Sequence, residues 1–215
     1  MRAEQPYLRP RPGTVTETIE IKRSHFIGLA RRTETEEAAR EFIAEVKAQY
    51  PDARHHCTAY IIHQDSAQPI QRSNDDGEPA GTAGQPMLEV LKGTEILDVT
   101  VVVVRYFGGI KLGTGGLVRA YQEATRAAVG LLSLVRRHRL ATYTCQIGHD
   151  LAGKMEADLR AMNQLDVVSV DYGQRVCFTV AAEPEVDVAE LIAAASGGQA
   201  EAEFVEYQWR DRSAN

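Results

Sequence analysis

Three stretches of this chain carry side chains whose types and spacing suit chemistry. The first runs from Arg105 to Arg119, where five glycines (Gly108, Gly109, Gly113, Gly115 and Gly116) fall within nine residues. Glycines let backbone N–H groups approach a ligand closely, and the N-terminus of a following helix adds unpaired donors and partial positive charge. With Arg105 ahead of the turn and Lys111 and Arg119 beside it, the stretch describes an anion- or nucleic-acid-binding site. The competing reading is a tight corner that serves only close packing. The spacing matches neither a Walker A loop nor the Gly-x-Gly-x-x-Gly of a dinucleotide fold.

The second stretch is the polar loop of residues 73–84, in which Asp75, Asp76 and Glu78 place three carboxylates in four residues. Carboxylates so close together suit a divalent cation or an acid/base pair. The same Asp-Asp-Gly-Glu-Pro string also satisfies a turn, with Asp side chains for the backbone, Gly for positive φ and Pro to restart the chain. No histidine lies near it in sequence, and we expect turn chemistry, with no metal and no cofactor. Arg72 stands at the loop's entry. It either joins Arg105, Lys111 and Arg119 in a basic patch or pairs with Asp75 or Asp76. The third stretch is His55-His56-Cys57, at the start of a strand pattern. On a strand His55 and Cys57 share a face while His56 points away, so a Cys–His nucleophile would need His55. A strand-edge histidine bonded to the polar loop is the simpler expectation.

These residues need elements to hold them. Val101–Val104 is an apolar β-branched run without a polar face, the pattern of a strand buried on both sides. From Leu117 onward, Leu117, Tyr121, Ala124, Ala128 and Leu131 recur at helical spacing. Upstream, residues 1–13 carry three prolines and no period, which predicts a loosely held arm. Strands are predicted over 14–21 and 25–30, joined as a hairpin. A helix follows over 33–49, with Thr33 or Thr35 as its cap and Ala39, Phe42, Ile43 and Val46 as its buried stripe. A strand over 55–63, a short one over 70–72 and a helix over 85–91 lead into the central strand. This order makes one α+β domain over residues 14–134. After a basic connector, Val135–Arg139, a βαββαβ order spans residues 140–210, the pattern of a ferredoxin-like domain.

The bulk properties set limits. At 215 residues, with 44% hydrophobic and 25% charged residues, the chain suits an ordinary globular protein of one large or two small domains. No apolar run is long enough to span a bilayer and the start lacks a signal-peptide core, so we expect no membrane partner. Cys57, Cys145 and Cys177 are scattered and without CxxC spacing, which predicts free thiols and a cytoplasmic location. Residues 150–215 carry 13 Asp/Glu against 5 Lys/Arg, while residues 1–149 carry 17 against 19. An anionic partner should therefore meet the first part of the chain.

Four blocks resemble the IMPACT family and its bacterial, YigZ-type members: Lys22–Ile27, Ala53–Tyr60, Ser73–Gly84 and Arg105–Gly113. The resemblance covers residues 14 to about 134, and the remainder resembles the small C-terminal domain of the bacterial members. It implies an N-terminal fold similar to ribosomal-protein domain 2 and elongation factor G domain IV, followed by a ferredoxin-like domain. It also implies a role in regulation of translation, because the family's eukaryotic members act in translational control by binding a regulator of a stress kinase. The expected function is a translation-associated binding protein that contacts RNA, the ribosome or a translation factor through the glycine-rich turn. Two alternatives stay open: a protein-binding regulator without nucleic-acid contact, and an enzyme on a small phosphorylated substrate with Asp76, Glu78 or His55 as base.

Overall fold

The computed structural model describes residues 5–213. The chain forms two compact units, one up to Arg136 together with Ser213, the other Arg137–Arg212. In the first unit the elements are β1 (Tyr7–Pro10), β2 (Thr14–Ile21), β3 (Ser24–Arg32), α1 (Glu36–Gln49), β4 (His55–Ile62), β5 (Ile70–Asn74), α2 (Gly84–Thr94), β6 (Val99–Tyr106) and α3 (Thr114–Gly130). Strands β2 to β6 make one sheet in the order β2-β3-β6-β4-β5, with every neighbour pair antiparallel.

β6 lies at the centre because its valines have no solvent face to offer. Val101 and Val103 enter the core under α2 and α3, and Val102 and Val104 the core under α1. The helices therefore cover both faces of the sheet. Thr35 caps α1, its Oγ1 accepting from the Ala38 amide at 3.1 Å, and Ala39, Phe42 and Val46 form the buried stripe. The expected β2–β3 hairpin forms, with Lys22 and Arg23 both at positive φ in a two-residue turn. α3 approaches β3 so closely at Gly28 that a Cβ there would stand 2.7 Å from the Ala124 carbonyl oxygen.

Two expectations need correction. The loose arm predicted over residues 1–13 lies outside the described residues at 1–4, and downstream it is a strand. Tyr7 stacks on His63 at 4.4 Å and donates to Asp98 Oδ2 at 2.8 Å. Arg9, only 2% exposed, reaches Glu34 at 2.8 Å and Asp98 at 3.5 Å. Partners distant in sequence, Asp98 about ninety residues away among them, hold a segment that has no periodicity of its own. The basic connector is also strand: β7 runs Leu134–Ile147, so Val135–Arg139 lies within it. Its arginines cover aromatic rings, Arg139 over Tyr207 at 4.3 Å and Arg137 over Trp209 at 5.9 Å.

The second unit continues with α4 (His149–Ala161), β8 (Leu165–Tyr172), β9 (Val176–Ala182), α5 (Val188–Ser196) and β10 (Glu203–Ser213). Its strands order as β10-β7-β9-β8. Met155, Leu159 and Ile192 of the helices share its core with Ile147, Phe178 and Val180 of the sheet.

Candidate anion-binding site

The glycine-rich turn follows the carboxyl end of β6, and the antiparallel register sets its neighbours. Arg105 pairs with Phe26 of β3 on one side and His55 of β4 on the other. Its side chain is 8% exposed and runs on the face covered by α2 and α3. There its Nη1 donates to Glu78 Oε1 at 2.6 Å, and the Tyr121 hydroxyl of α3 donates to the same oxygen at 2.8 Å. A buried pair of this kind ties the polar loop to the sheet. The Arg105 Nε is buried with no hydrogen-bond partner among the described residues.

The carboxylates of the loop serve its conformation. Asp75 accepts from the amides of Gly81 at 2.8 Å, Ala83 at 3.0 Å and Gly84 at 2.8 Å, which brings three N–H groups at the start of α2 onto one side chain. Asp76, at φ 43°, accepts from Lys47 Nζ at 2.8 Å and from the His56 amide at 2.7 Å. Burial by itself would raise the Asp76 carboxyl. The Lys47 ammonium and the His56 N–H outweigh it and hold the group below the usual carboxylate range. Asp76 and Glu78 thus hold the loop to β4, α1 and the central strand. Among the described residues no group of three His, Cys, Asp or Glu side chains is placed to hold a metal.

His55 keeps one nitrogen. Its Nδ1 lies 2.9 Å from the Asp76 carbonyl oxygen, which can only accept, so Nδ1 carries the hydrogen and Nε2 holds the lone pair of the neutral ring. His56 points to the other face, with Nε2 at 3.0 Å from the Tyr50 carbonyl. Cys57 is buried, its Sγ 3.0 Å from the Asp75 carbonyl oxygen. Burial, assisted by the Glu78, Asp76 and Asp75 carboxylates and opposed by a hydrogen bond with Tyr121, pushes its thiol up to about 12. Burial followed by the adjoining thiol and Glu78 carboxylate likewise pushes the Tyr121 hydroxyl far above its ordinary range. A thiol so raised is a poor nucleophile.

Over this network opens a cavity of about 590 Å³ between the turn, the start of β4 and the first turn of α3. Arg54, His55, Arg105 and Lys111 contribute to its wall, together with Gly113 and Thr114, and Asp52 is the acidic member. Gly113 is the N-cap of α3 at φ 72° and gives no side-chain cap. The first bond of the helix is Leu117 N–H to Gly113 O, at 2.9 Å, which leaves the amides of Thr114, Gly115 and Gly116 as the unpaired donors of a helix start. Arg54 and Lys111 are exposed and make no ion pair among the described residues.

The glycines divide between the two readings of the turn. A Cβ on Gly108 would lie 2.0 Å from the Arg23 carbonyl carbon, so packing alone demands glycine there. Gly109, at φ 86°, and Gly113 are set by backbone conformation. Gly116 would press on Leu112 at 3.0 Å. Gly115 has neither an unusual φ nor any atom within 4 Å of a Cβ. It is the position that packing leaves unexplained, and it stands beside the unpaired amides.

Two expected patch members lie elsewhere. Arg72 sits on β5 opposite Tyr60, which in turn faces Thr100, so it is five residues along the sheet from the Arg105 row. At about 3.3 Å per residue that is roughly 16 Å, too far to join the patch. Nor does it pair with Asp75 or Asp76: its Nε faces Glu36 at 3.7 Å and its Nη1 donates to the Gln71 carbonyl. Arg119 is exposed on α3 but does not line the cavity. In their place the structure brings in Arg54 and the aromatic Phe107. Arg54 comes in through the pairing of β4 with β6, for which the local sequence holds no signal. Phe107 stood in plain view as an apolar residue inside a glycine-rich turn.

The chain matches the family model of the Impact N-terminal domain over residues 22–129. It is 46% identical over 186 residues to the IMPACT family member YigZ of Escherichia coli (strain K12), covering 85% of this chain and 87% of that protein. It is 38% identical over 199 residues to the IMPACT family member YvyE of Bacillus subtilis (strain 168), covering 92% and 90%. Among solved structures, a crystal structure of a hypothetical protein superposes with a TM-score of 0.61 at 40% identity, over 94% of this chain and 98% of that one.

Proposed function

The chain belongs to the IMPACT family, and from that premise we propose that it is a translation-associated regulator that binds an anionic group of RNA or the ribosome in the cavity at the head of α3. The role in regulation of translation that the family resemblance implies supports the setting. The observation that carries the binding mode is the cavity wall: Gly113 and Thr114 at the uncapped start of α3, with Arg54 and Lys111, two cations without ion pairs among the described residues. Such a site holds a phosphate by N–H donors and helix dipole, with the cations supplying charge. Residues 14–134 carry this contact, and residues 140–210 form a separate, acidic domain that does not bind the anion. No helix among the described residues is long and apolar enough to cross a membrane.

Ribosome co-sedimentation at several salt concentrations tests the reading. Wild type should sediment with ribosomes at low salt, the pair Arg54→Ala and Lys111→Ala should not, and Arg119→Ala should resemble wild type. Equal sedimentation of the double variant would take the cavity out of the account. One observation favours a second reading: His55 presents a free Nε2 beside an anion site, as an enzyme on a phosphorylated small molecule would require. A thermal-shift screen of sugar phosphates and nucleotides separates the two, since a ligand at a hundred times its dissociation constant stabilises by about 2.7 kcal/mol.

A further inference from the structure

The cavity has a second kind of wall. Phe107, directly after β6, is 58% exposed, and Ile110 in the same turn is 41% exposed. Phe107 lines the cavity together with Leu112 and Pro79, opposite in character to the cationic side. The Arg105 guanidinium carbon lies 5.7 Å from the Phe107 ring centroid and 5.4 Å from that of the buried Phe26. Arg105 thus holds one side of the ring's surroundings, while more than half of the residue's surface stays open. Gly108, pressed onto the Arg23 backbone and donating its N–H to Ser24 Oγ at 3.1 Å, fixes where this aromatic stands.

Phosphate binding alone uses none of this. A lone inorganic anion needs the amides, Arg54 and Lys111, and gains nothing from an aromatic wall. The ligand that uses both walls carries a phosphate and a flat π-system a few ångströms apart. We propose that the cavity takes one nucleoside phosphate unit of single-stranded RNA, its phosphate on the α3 amides with Arg54 and Lys111, its base stacked on Phe107. The volume of about 590 Å³ lies within the usual range for small-molecule sites and accommodates one nucleotide. Duplex RNA cannot use the site in this way, because its bases are stacked on one another and its phosphates alone are presented. This inference rests on the anion-binding reading above and adds to it the identity of the bound unit.

The test uses the full chain and fluorescence anisotropy with three probes: a labelled single-stranded oligoribonucleotide, the same sequence as a duplex, and unlabelled AMP as competitor. The variants are Phe107→Ala, Phe107→Trp and Lys111→Ala. Base–aromatic stacking predicts that Phe107→Ala weakens single-strand binding by roughly 5- to 150-fold and leaves duplex binding unchanged. Phe107→Trp should bind the single strand as well as wild type or better, which a purely structural role for Phe107 would not produce. Competition by AMP would identify a free nucleotide as sufficient, and its failure alongside tight single-strand binding would assign the site to a strand. If Lys111→Ala loses binding while Phe107→Ala equals wild type on every probe, the nucleoside unit is refuted and the anion site stands. If wild type binds none of the probes even at low salt, the inference falls, and ribosome co-sedimentation decides the anion site separately.

Discussion

The Glu78–Arg105 pair gives the sharpest structural prediction, made by the substitution Glu78→Gln. Both side chains are nearly inaccessible, at 4% and 8%, and Glu78 Oε1 receives the Arg105 and Tyr121 donors together at 2.6 and 2.8 Å. Glutamine keeps the shape and an acceptor oxygen but removes the charge, leaving a guanidinium buried without its counter-ion. Removing one member of a buried pair costs about 3–5 kcal/mol. At about 3 °C per kcal/mol for a unit of this size, the melting transition should fall by roughly 10–15 °C. The loss should be followed by circular dichroism and by hydrogen exchange at the Val101–Val104 amides, which report opening of the central strand. Replacing both charges, with Glu78→Leu and Arg105→Met, should recover much of the loss. It should not recover all of it, because the Tyr121 hydroxyl then lacks an acceptor at a cost of about 1–3 kcal/mol, and adding Tyr121→Phe should return that part. A Glu78→Gln variant within about 1 kcal/mol of wild type, the range of a surface pair, would refute the argument that the loop is tied down by a desolvated ion pair.

Three further outcomes follow from the same network. Asp76 is held below the usual carboxylate range in the folded chain, so its stabilising contribution is present above its unfolded value near 3.8 and is lost as pH falls through the folded value. Asp76→Asn should therefore be less stable than wild type at pH 7, and the gap should close in acid; urea titrations at pH 7 and pH 3 measure this, and a constant gap would contradict it. Burial pushes the Cys57 thiol to about 12 and the Cys145 thiol to about 11, while Cys177 is half-buried. Alkylation of the native chain at pH 8 should label Cys177 first and leave Cys57 untouched, as peptide mass mapping would show. Gly115→Ala meets empty space in a helix and should raise stability by up to about 1 kcal/mol, while the added methyl beside the unpaired amides weakens RNA binding. Loss of stability without loss of binding would return Gly115 to a packing role.

The parts of the fold that could be read from sequence are those whose burial leaves a local pattern. β6 shows as an unbroken valine run because both its faces are covered, and α1 shows through Thr35, its acidic first turn and its apolar stripe. What stayed hidden depends on distant partners. β1 has no period, and its burial rests on Asp98, which accepts from Tyr7 and Arg9. Val135–Arg139 reads as a connector because its cations mask a strand whose neighbours Tyr207 and Trp209 lie far ahead. The glycine turn was legible as a candidate site, but its membership was not. The register removed Arg72 and brought in Arg54, and Asp75, which suggested a metal cluster, turned out to hold three amides at the head of α2.

The salt dependence of RNA binding tests the central claim most directly. For wild type, the logarithm of the association constant for a single-stranded oligoribonucleotide should fall linearly with the logarithm of salt concentration. If Arg54 and Lys111 each neutralise one phosphate, their joint replacement by alanine should weaken binding at low salt and reduce the slope by about 1.4. The same affinity and slope in wild type and variant would contradict the assignment of the anion site to this cavity.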